Sequence, residues 1–293
     1  MHSLQTWAAA HKEKLLVLFV LSIFLGCSIV LQGYSIVQVV NLVFIEQETF
    51  SSTFAFLFLL VVAILLRLFT QFSMNRIGGT LAERVKISVR QTLLQPWTQN
   101  AMEAQMTTQT GQKVTVLIDT VDQLESYYRE YIPQIIKTTI APLIILIAVF
   151  MTHTTSGWIM LVTVPFIPIT YIIIGMQTQK KSEEQLVAMN RFSGKFLDLL
   201  QGLQTIRLFG QSEKQEQVLA ASNKGFMERT LSVLKIAFAS TLFIEFITTL
   251  GVGLVALEIG FKMIVFQTLA FAPAFFVLTM APEFYNSLKE LGA

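Results

Sequence analysis

Cysteine, histidine and charge are all scarce in this chain. A single cysteine among 293 residues excludes a disulfide framework. That residue, Cys27, sits inside an apolar run, where a lone thiol serves as a small hydrophobic filler. The three histidines, His2, His11 and His153, are too far apart for a metal-binding pair. No H-E-x-x-H, paired cysteine or carboxylate–histidine group occurs, so neither a metal site nor hydrolytic chemistry is expected. Charged residues make up 14% of the chain and hydrophobic residues 53%, where a soluble domain carries roughly 25% charge. This deficit excludes an ordinary soluble domain and fits a protein that crosses a membrane several times. The net charge of +2, without a basic run, argues against a nucleic-acid partner. No G-x-x-x-x-G-K-[ST] is found, so these residues cannot cradle a nucleotide by that device and no ATPase site is expected in them.

Long apolar runs are what the sequence has in abundance. Runs near 20 residues predict six membrane spans, at about 15–40, 53–73, 132–152, 156–177, 236–259 and 264–282. The third is interrupted by Lys137, and the first continues too far to be a cleaved signal peptide. The connections alternate in length. Spans one and two, three and four, and five and six are joined by short loops. The other two connections, about 74–131 and 178–235, are long and carry helical periodicity, so they predict two helical hairpins beyond the bilayer. Lysine and arginine concentrate in these hairpins and near the termini, whereas the short connections hold at most Lys262 alongside Glu46 and Glu48. The positive-inside rule therefore places both termini and both hairpins in the cytoplasm.

Each hairpin should bend at its far end. In "QGLQTIRLFGQSEKQ", Phe196, Leu199, Leu203 and Ile206 continue an apolar stripe, Gly210 is a natural helix stop, and Ser212 with Gln215 fits a capping box. In the first hairpin, Pro96 is expected to interrupt the outgoing helix and a new one to start near Gly111. Ile206, Leu208 and Phe209 at a tip are suited either to a partner's groove or to packing the two neighbouring helices together.

Three stretches, "DQLESYYREYIPQ" (Asp122 to Gln134), "SGKFLDLLQGLQTIRLFG" (Ser193 to Gly210) and "APEFYNSLKELG" (Ala281 to Gly292), resemble the thiol-reductant ABC exporter subunits that support cytochrome bd assembly. The resemblance runs from about residue 60 to the end. It implies an all-α membrane domain over 1–293, of the ABC exporter type, in a bacterial inner membrane. It also implies export of cysteine and glutathione by a heterodimer with a related half-transporter. ATP would act through a nucleotide-binding domain not found in this sequence. Turns around Gly111, Val114 and Asp119, and around Gly202, Ile206 and Phe209, would be the points of coupling to that domain. The family's longer loop between spans five and six is reduced here to a near-direct passage. A non-transporting remnant, and a haem or lipid exporter on the same scaffold, are the alternative readings.

Ionisable residues within spans are functional candidates. Arg67 in span two and Lys137 in span three could hold cargo carboxylates, with Glu245 in span five as a third candidate. Arg67 could otherwise pair with Glu245. Glu283, where span six ends, reads as structural, and His153 as an exposed loop residue on the outer side.

Overall fold

The computed structural model describes residues 12–47, 50–99 and 121–292. Among the described residues all regular structure is helical: α1 (Lys12–Val40), α2 (Phe50–Gln99), α3 (Leu124–Ser126), α4 (Ile132–Thr152), α5 (Thr154–Thr163), α6 (Phe166–Gln201), α7 (Leu203–Leu208), α8 (Ser212–Gly260) and α9 (Phe271–Lys289). They form two compact units, one from residues 1–162 with 251–293 and the other from 163–250. Five helical stretches among the described residues are long and apolar enough to cross a bilayer. The stretch read as a sixth span, α9, has 19 residues and reaches about 28 Å at 1.5 Å per residue. It is less apolar than the five, with Glu283 and three further polar side chains in its second half.

In the first unit the usual soluble pattern is inverted on α2. Phe54, Phe58, Val61, Leu65, Leu68 and Phe72 recur at three- and four-residue steps, and all are exposed. The opposite face buries Ala63, Thr70, Met74, Leu81 and Val85. An uninterrupted apolar strip of that length is incompatible with water and suits lipid or a partner helix. α1 packs against α2, α4 and α9 through small residues. Ser22, Gly26 and Gly33 repeat at helical spacing, and a methyl group on Gly26 would lie 2.7 Å from Ile144. Close backbone approach of this kind holds helices together where lipid removes the hydrophobic drive. The buried serines return their hydroxyls to their own helix, Ser22 to the Leu18 carbonyl at 2.9 Å and Ser28 to Leu25 at 2.7 Å.

The span read as 132–152 coincides with α4, Ile132–Thr152. Immediately before it, Tyr127–Tyr131 form a π-helical turn in which the Ile132 N–H donates back five residues to the Tyr127 carbonyl. Pro133 explains the widening, since it has no N–H to offer the Arg129 carbonyl. Gly78 of α2 presses against that carbonyl, and a methyl there would stand 2.5 Å from it. Below this point Leu81, Ala82 and Val85 bury against Tyr128. Lys86 pairs with Asp122 and Glu125, both at 2.8 Å, and Arg90 with Asp122 at 2.9 Å. The first hairpin is thus tied by a small apolar core and an ionic ladder.

Three expectations about element boundaries are corrected. Pro96 does not end α2, whose backbone stays helical to Gln99. A proline three residues before the end removes one N–H and leaves little helix beyond it to distort. Span four is divided: α5 ends at Thr163, and α6 starts after Pro165, which lacks the N–H needed to continue. Span six starts at Phe271 rather than 264, because Ala270 is extended at ψ 158° and Pro273 favours the first turn of a helix. Residues 261–265 instead close α8 with a π-helical turn, followed by Gln267 at φ +49°. α1 ends the same way, with π-helical Asn41–Ile45 and then Gln47 at φ +51°.

The second unit is a long helical hairpin. α6 has 36 residues and extends about 54 Å. It ends at Gly202, and the short α7 turns the chain into α8. Gly210, at φ +63°, closes α7. Its N–H donates to Arg207 O at 3.1 Å and the Gln211 N–H to Ile206 O at 3.0 Å, the paired bonds of a left-handed helix stop. Only glycine adopts that φ without strain. The next helix begins at Ser212 itself, with the Gln215 N–H bonded to the Gln211 carbonyl at 3.1 Å. Gln211, not Ser212, is therefore the capping position. Phe192 and Phe226 stack between the two arms at 6.0 Å, and Arg229 pairs with Glu184.

Candidate functional site

A cavity of about 410 Å³ opens inside the first unit, lined by Leu25 and Ile29 on α1, Arg67 and Gln71 on α2, Lys137 on α4, and Glu283, Asn286, Ser287, Lys289 and Glu290 at the end of α9. The helices deliver these side chains because each polar group lies on the inward face of a mostly apolar stripe. Arg67 is aligned with Glu283 in a two-pronged ion pair, Nη1 to Oε1 and Nη2 to Oε2, both at 3.1 Å. Gln32 Oε1 accepts a third guanidinium bond at 3.0 Å. Planar, forked recognition of this sort is specific to arginine.

One wall further, Lys137 Nζ lies 2.5 Å from Glu290 Oε2. The Gln134 amide donates to the same carboxylate at 3.2 Å and to the Glu290 carbonyl at 2.9 Å. Lys137, Gln134 and Glu290 also border a second, larger cavity of about 960 Å³. Its rim includes Arg129 and the stacked pair Tyr127 and Tyr131, whose ring centres are 5.1 Å apart. Neither ion pair is sealed: the Arg67 and Glu283 side chains are 28% and 32% exposed, and those of Lys137 and Glu290 17% and 44%. A solute entering the cavity can therefore compete for the same cations.

The structure brings together two of the three cargo candidates, Arg67 and Lys137, on one cavity. The carboxylate partner of Arg67 is Glu283, not Glu245. Glu245 lies on an exposed face of α8 in the other unit. Sequence reasoning missed Gln32, Gln134 and Glu290, and undervalued Glu283. One signal was present: Glu283 and Glu290 stand seven residues apart, two helical turns on one face.

The coupling candidates fall in two groups. Gly111, Val114 and Asp119 lie outside the described residues. Gly202 begins α7, Ile206 is half-buried, and Leu208 and Phe209 project at 85% and 76% exposure. Leu208 and Phe209 thus do not pack the two arms together, and they leave an exposed apolar pair on the tip of a polar hairpin.

His153 is not an exposed loop residue. Its Nδ1 lies 2.8 Å from Ser156 Oγ, and Ser156 donates to Glu258 Oε2 at 2.7 Å. Lys262 Nζ approaches His153 Nε2 at 3.1 Å and donates to Thr155 Oγ1 at 2.6 Å. It also lies 3.1 Å from Glu258 Oε1, an ion pair not aligned as a hydrogen bond. These contacts assign a neutral ring, with Nδ1–H donating to Ser156 and Nε2 accepting from Lys262. Burial holds the imidazole below its usual range; Glu258 opposes that shift and Lys262 reinforces it. The cluster bolts the α4–α5 corner to the end of α8.

Among the described residues no group of three or more histidine, cysteine, aspartate or glutamate side chains could hold a metal ion. What the site offers is cations on a partly exposed cavity, with carboxylates already seated on Arg67 and Lys137.

Comparison with known proteins follows the same lines. The family model described as "ABC transporter transmembrane region" matches residues 15–287. The chain is 29% identical, over 99% of its length, to the glutathione/L-cysteine transport system ATP-binding/permease protein CydD of Haemophilus influenzae, covering 51% of that protein. It is 28% identical over 91% of its length to CydD of Escherichia coli, of which it covers 47%. It is 31% identical over 62% of its length to the similarly named CydC of Bacillus subtilis, of which it covers 32%. The chain thus spans about half the length, or less, of the curated relatives it matches. With the inverted apolar faces, the matched helical hairpin and a family model that spans nearly all of it, this multi-pass membrane chain belongs to the ABC transporter transmembrane region family.

Proposed function

We propose that this chain is the membrane half of an ATP-driven exporter that carries cysteine and glutathione out of the bacterial cytoplasm, in support of cytochrome bd assembly. It would work in the inner membrane, with both termini and both hairpins cytoplasmic, beside a related half-transporter. ATP would be bound and hydrolysed by nucleotide-binding domains. The tip around Gly202, Ile206 and Phe209, together with Gly111, Val114 and Asp119, would seat those domains, and their closure would swing the hairpins as levers. Arg67 and Lys137 are the cargo-binding cations of this reading.

The observation that carries it is that Arg67 and Lys137, both partly solvent-accessible, line a single cavity with Lys289 between helices whose outer faces are apolar. Cysteine and glutathione are carboxylates at neutral pH, and bound charge inside a bilayer otherwise carries a heavy penalty. The relatives are named for transport of the same two thiols. The test is thiol uptake into inverted membrane vesicles holding this chain, a partner half-transporter and an ATPase. ATP-dependent accumulation of cysteine or glutathione, reduced by Arg67→Gln, is expected. No ATP-dependent uptake with any partner would remove the exporter reading.

A further inference from the structure

We infer that Glu283 and Glu290 are internal competitors that stand in for cargo carboxylates, so that a ligand with one carboxylate displaces one of them, a ligand with two displaces both, and only the second loosens the end of α9. The inference rests on the reading that the cavity receives thiol cargo, and it deepens that reading.

Both glutamates come from one helix face, seven residues apart, and each occupies a cation on a different helix: Arg67 on α2 and Lys137 on α4. Together they clamp the end of α9 across the cavity. A guanidinium held by Gln32 as well as Glu283 keeps its place when the glutamate leaves. Lys137 lacks such a support, and its glutamate is the more exposed of the two. A carboxylate from solution can therefore replace each glutamate on its cation, the displaced glutamate turning to the solvent that already reaches it, at 32% exposure for Glu283 and 44% for Glu290. A monocarboxylate can replace only one, and α9 stays clamped by the other. Glutathione, with a carboxylate at each end, can replace both. Phe284, Tyr285 and Leu288 keep the body of α9 buried, so displaced glutamates loosen its exit around Glu290 and report cargo occupancy there. A role in which the glutamates merely stabilise the bundle would give no such dependence on the number of carboxylates.

The experiment is calorimetric titration of glutathione and of cysteine into the purified full chain, as wild type, Glu283→Gln, Glu290→Gln and the double variant. Removing an internal competitor should tighten glutathione about tenfold per glutamate, a decade being the scale of one partly desolvated charge-assisted pair. The double variant should combine the two gains for glutathione, while cysteine should gain no more from it than from the better single change. Glu290→Gln guards against misfolding, because its side chain is 44% exposed at the cavity edge. In the wild type, glutathione should raise backbone hydrogen exchange across 286–292, whereas a ligand seated without displacing α9 would lower it or leave it unchanged. Wild-type binding that is equalled or weakened by the glutamine variants, or no rise in exchange, overturns the inference and leaves the exporter reading standing. Absence of binding by every variant removes both.

Discussion

Two neighbouring glycines on α2 make a sharp test of the packing at the root of the first hairpin. Gly78 and Gly79 sit side by side in a helix, and replacing either with alanine should gain about 1 kcal/mol of helix propensity. Their surroundings differ. A methyl on Gly79 meets nothing within 4 Å, whereas one on Gly78 would lie 2.5 Å from the Arg129 carbonyl oxygen and 3.0 Å from Pro133. The oxygen is backbone, held in the π-helical turn, and cannot rotate aside as a side chain could. Overpacking against such a neighbour costs about 1–3 kcal/mol. Gly79→Ala should therefore stabilise by about 1 kcal/mol, while Gly78→Ala should range from neutral to about 2 kcal/mol destabilising. A gap near 2 kcal/mol corresponds to about 4–8 °C in melting temperature for a chain of this size. Thermal unfolding of the two detergent-purified variants, followed by circular dichroism, reads the gap directly. Equal melting temperatures, or a lower one for Gly79→Ala, would refute the close contact between α2 and the turn.

Three further outcomes are expected. Arg67→Gln leaves Glu283 facing a neutral partner in a half-buried site, and should lower stability by about 1–3 kcal/mol; adding Glu283→Gln should recover most of it, as thermal melts of the single and double variants will show. Leu208→Ser with Phe209→Ser should move the melting temperature little, since exposed positions change stability by less than about 0.5 kcal/mol, yet should abolish ATP-driven transport in the reconstituted pair; a variant that transports normally would exclude this tip as the coupling surface. Asp122 is held below the usual carboxylate range by the hydrogen bond from Lys86, with Arg90 assisting. Because its folded pKa is depressed, its contribution is complete above the ordinary aspartate value of 3.8 and is lost as pH falls below it. Protection of 121–131 against hydrogen exchange, taken relative to the intrinsic rate at each pH, should therefore fall on acidification through that range, and Lys86→Met should flatten the response.

How far the sequence could be read depends on the range of the interactions involved. The bounds read for span three match the helix Ile132–Thr152 although Lys137 interrupts its apolar run, because Pro133 sits at the start of that helix and the extended His153 ends it. Gly210 was legible because a left-handed stop has a strong local signature. Span six was misplaced by seven residues because apolar composition carries through 264–270 while backbone geometry does not. Pro96 misled for the opposite reason: a proline near a helix end disrupts little. The ion pairs of the cavity join residues as much as 216 positions apart, and pattern within one helix gives no address for a partner on another. Arg67 was found as a charge in an apolar run, but its true partner needed the packing of α9 against the bundle. His153 was misjudged in the same way, since Ser156 is near in sequence but Glu258 and Lys262 are more than 100 residues off.

The widened turn at Tyr127–Tyr131 means that the polypeptide carries one surplus residue between the ionic ladder and the membrane-crossing α4. Each residue of an α-helix advances the azimuth by about 100°, so this extra residue sets the angular phase between two functional faces. Excising it would leave a smoother rod but would swing Asp122 and Glu125 about a quarter of a circle away from Lys86 and Arg90. The irregularity therefore acts as a fixed gear offset: it lets one continuous rod present its charges to the neighbouring arm and its proline-rich side to the bundle at the same time.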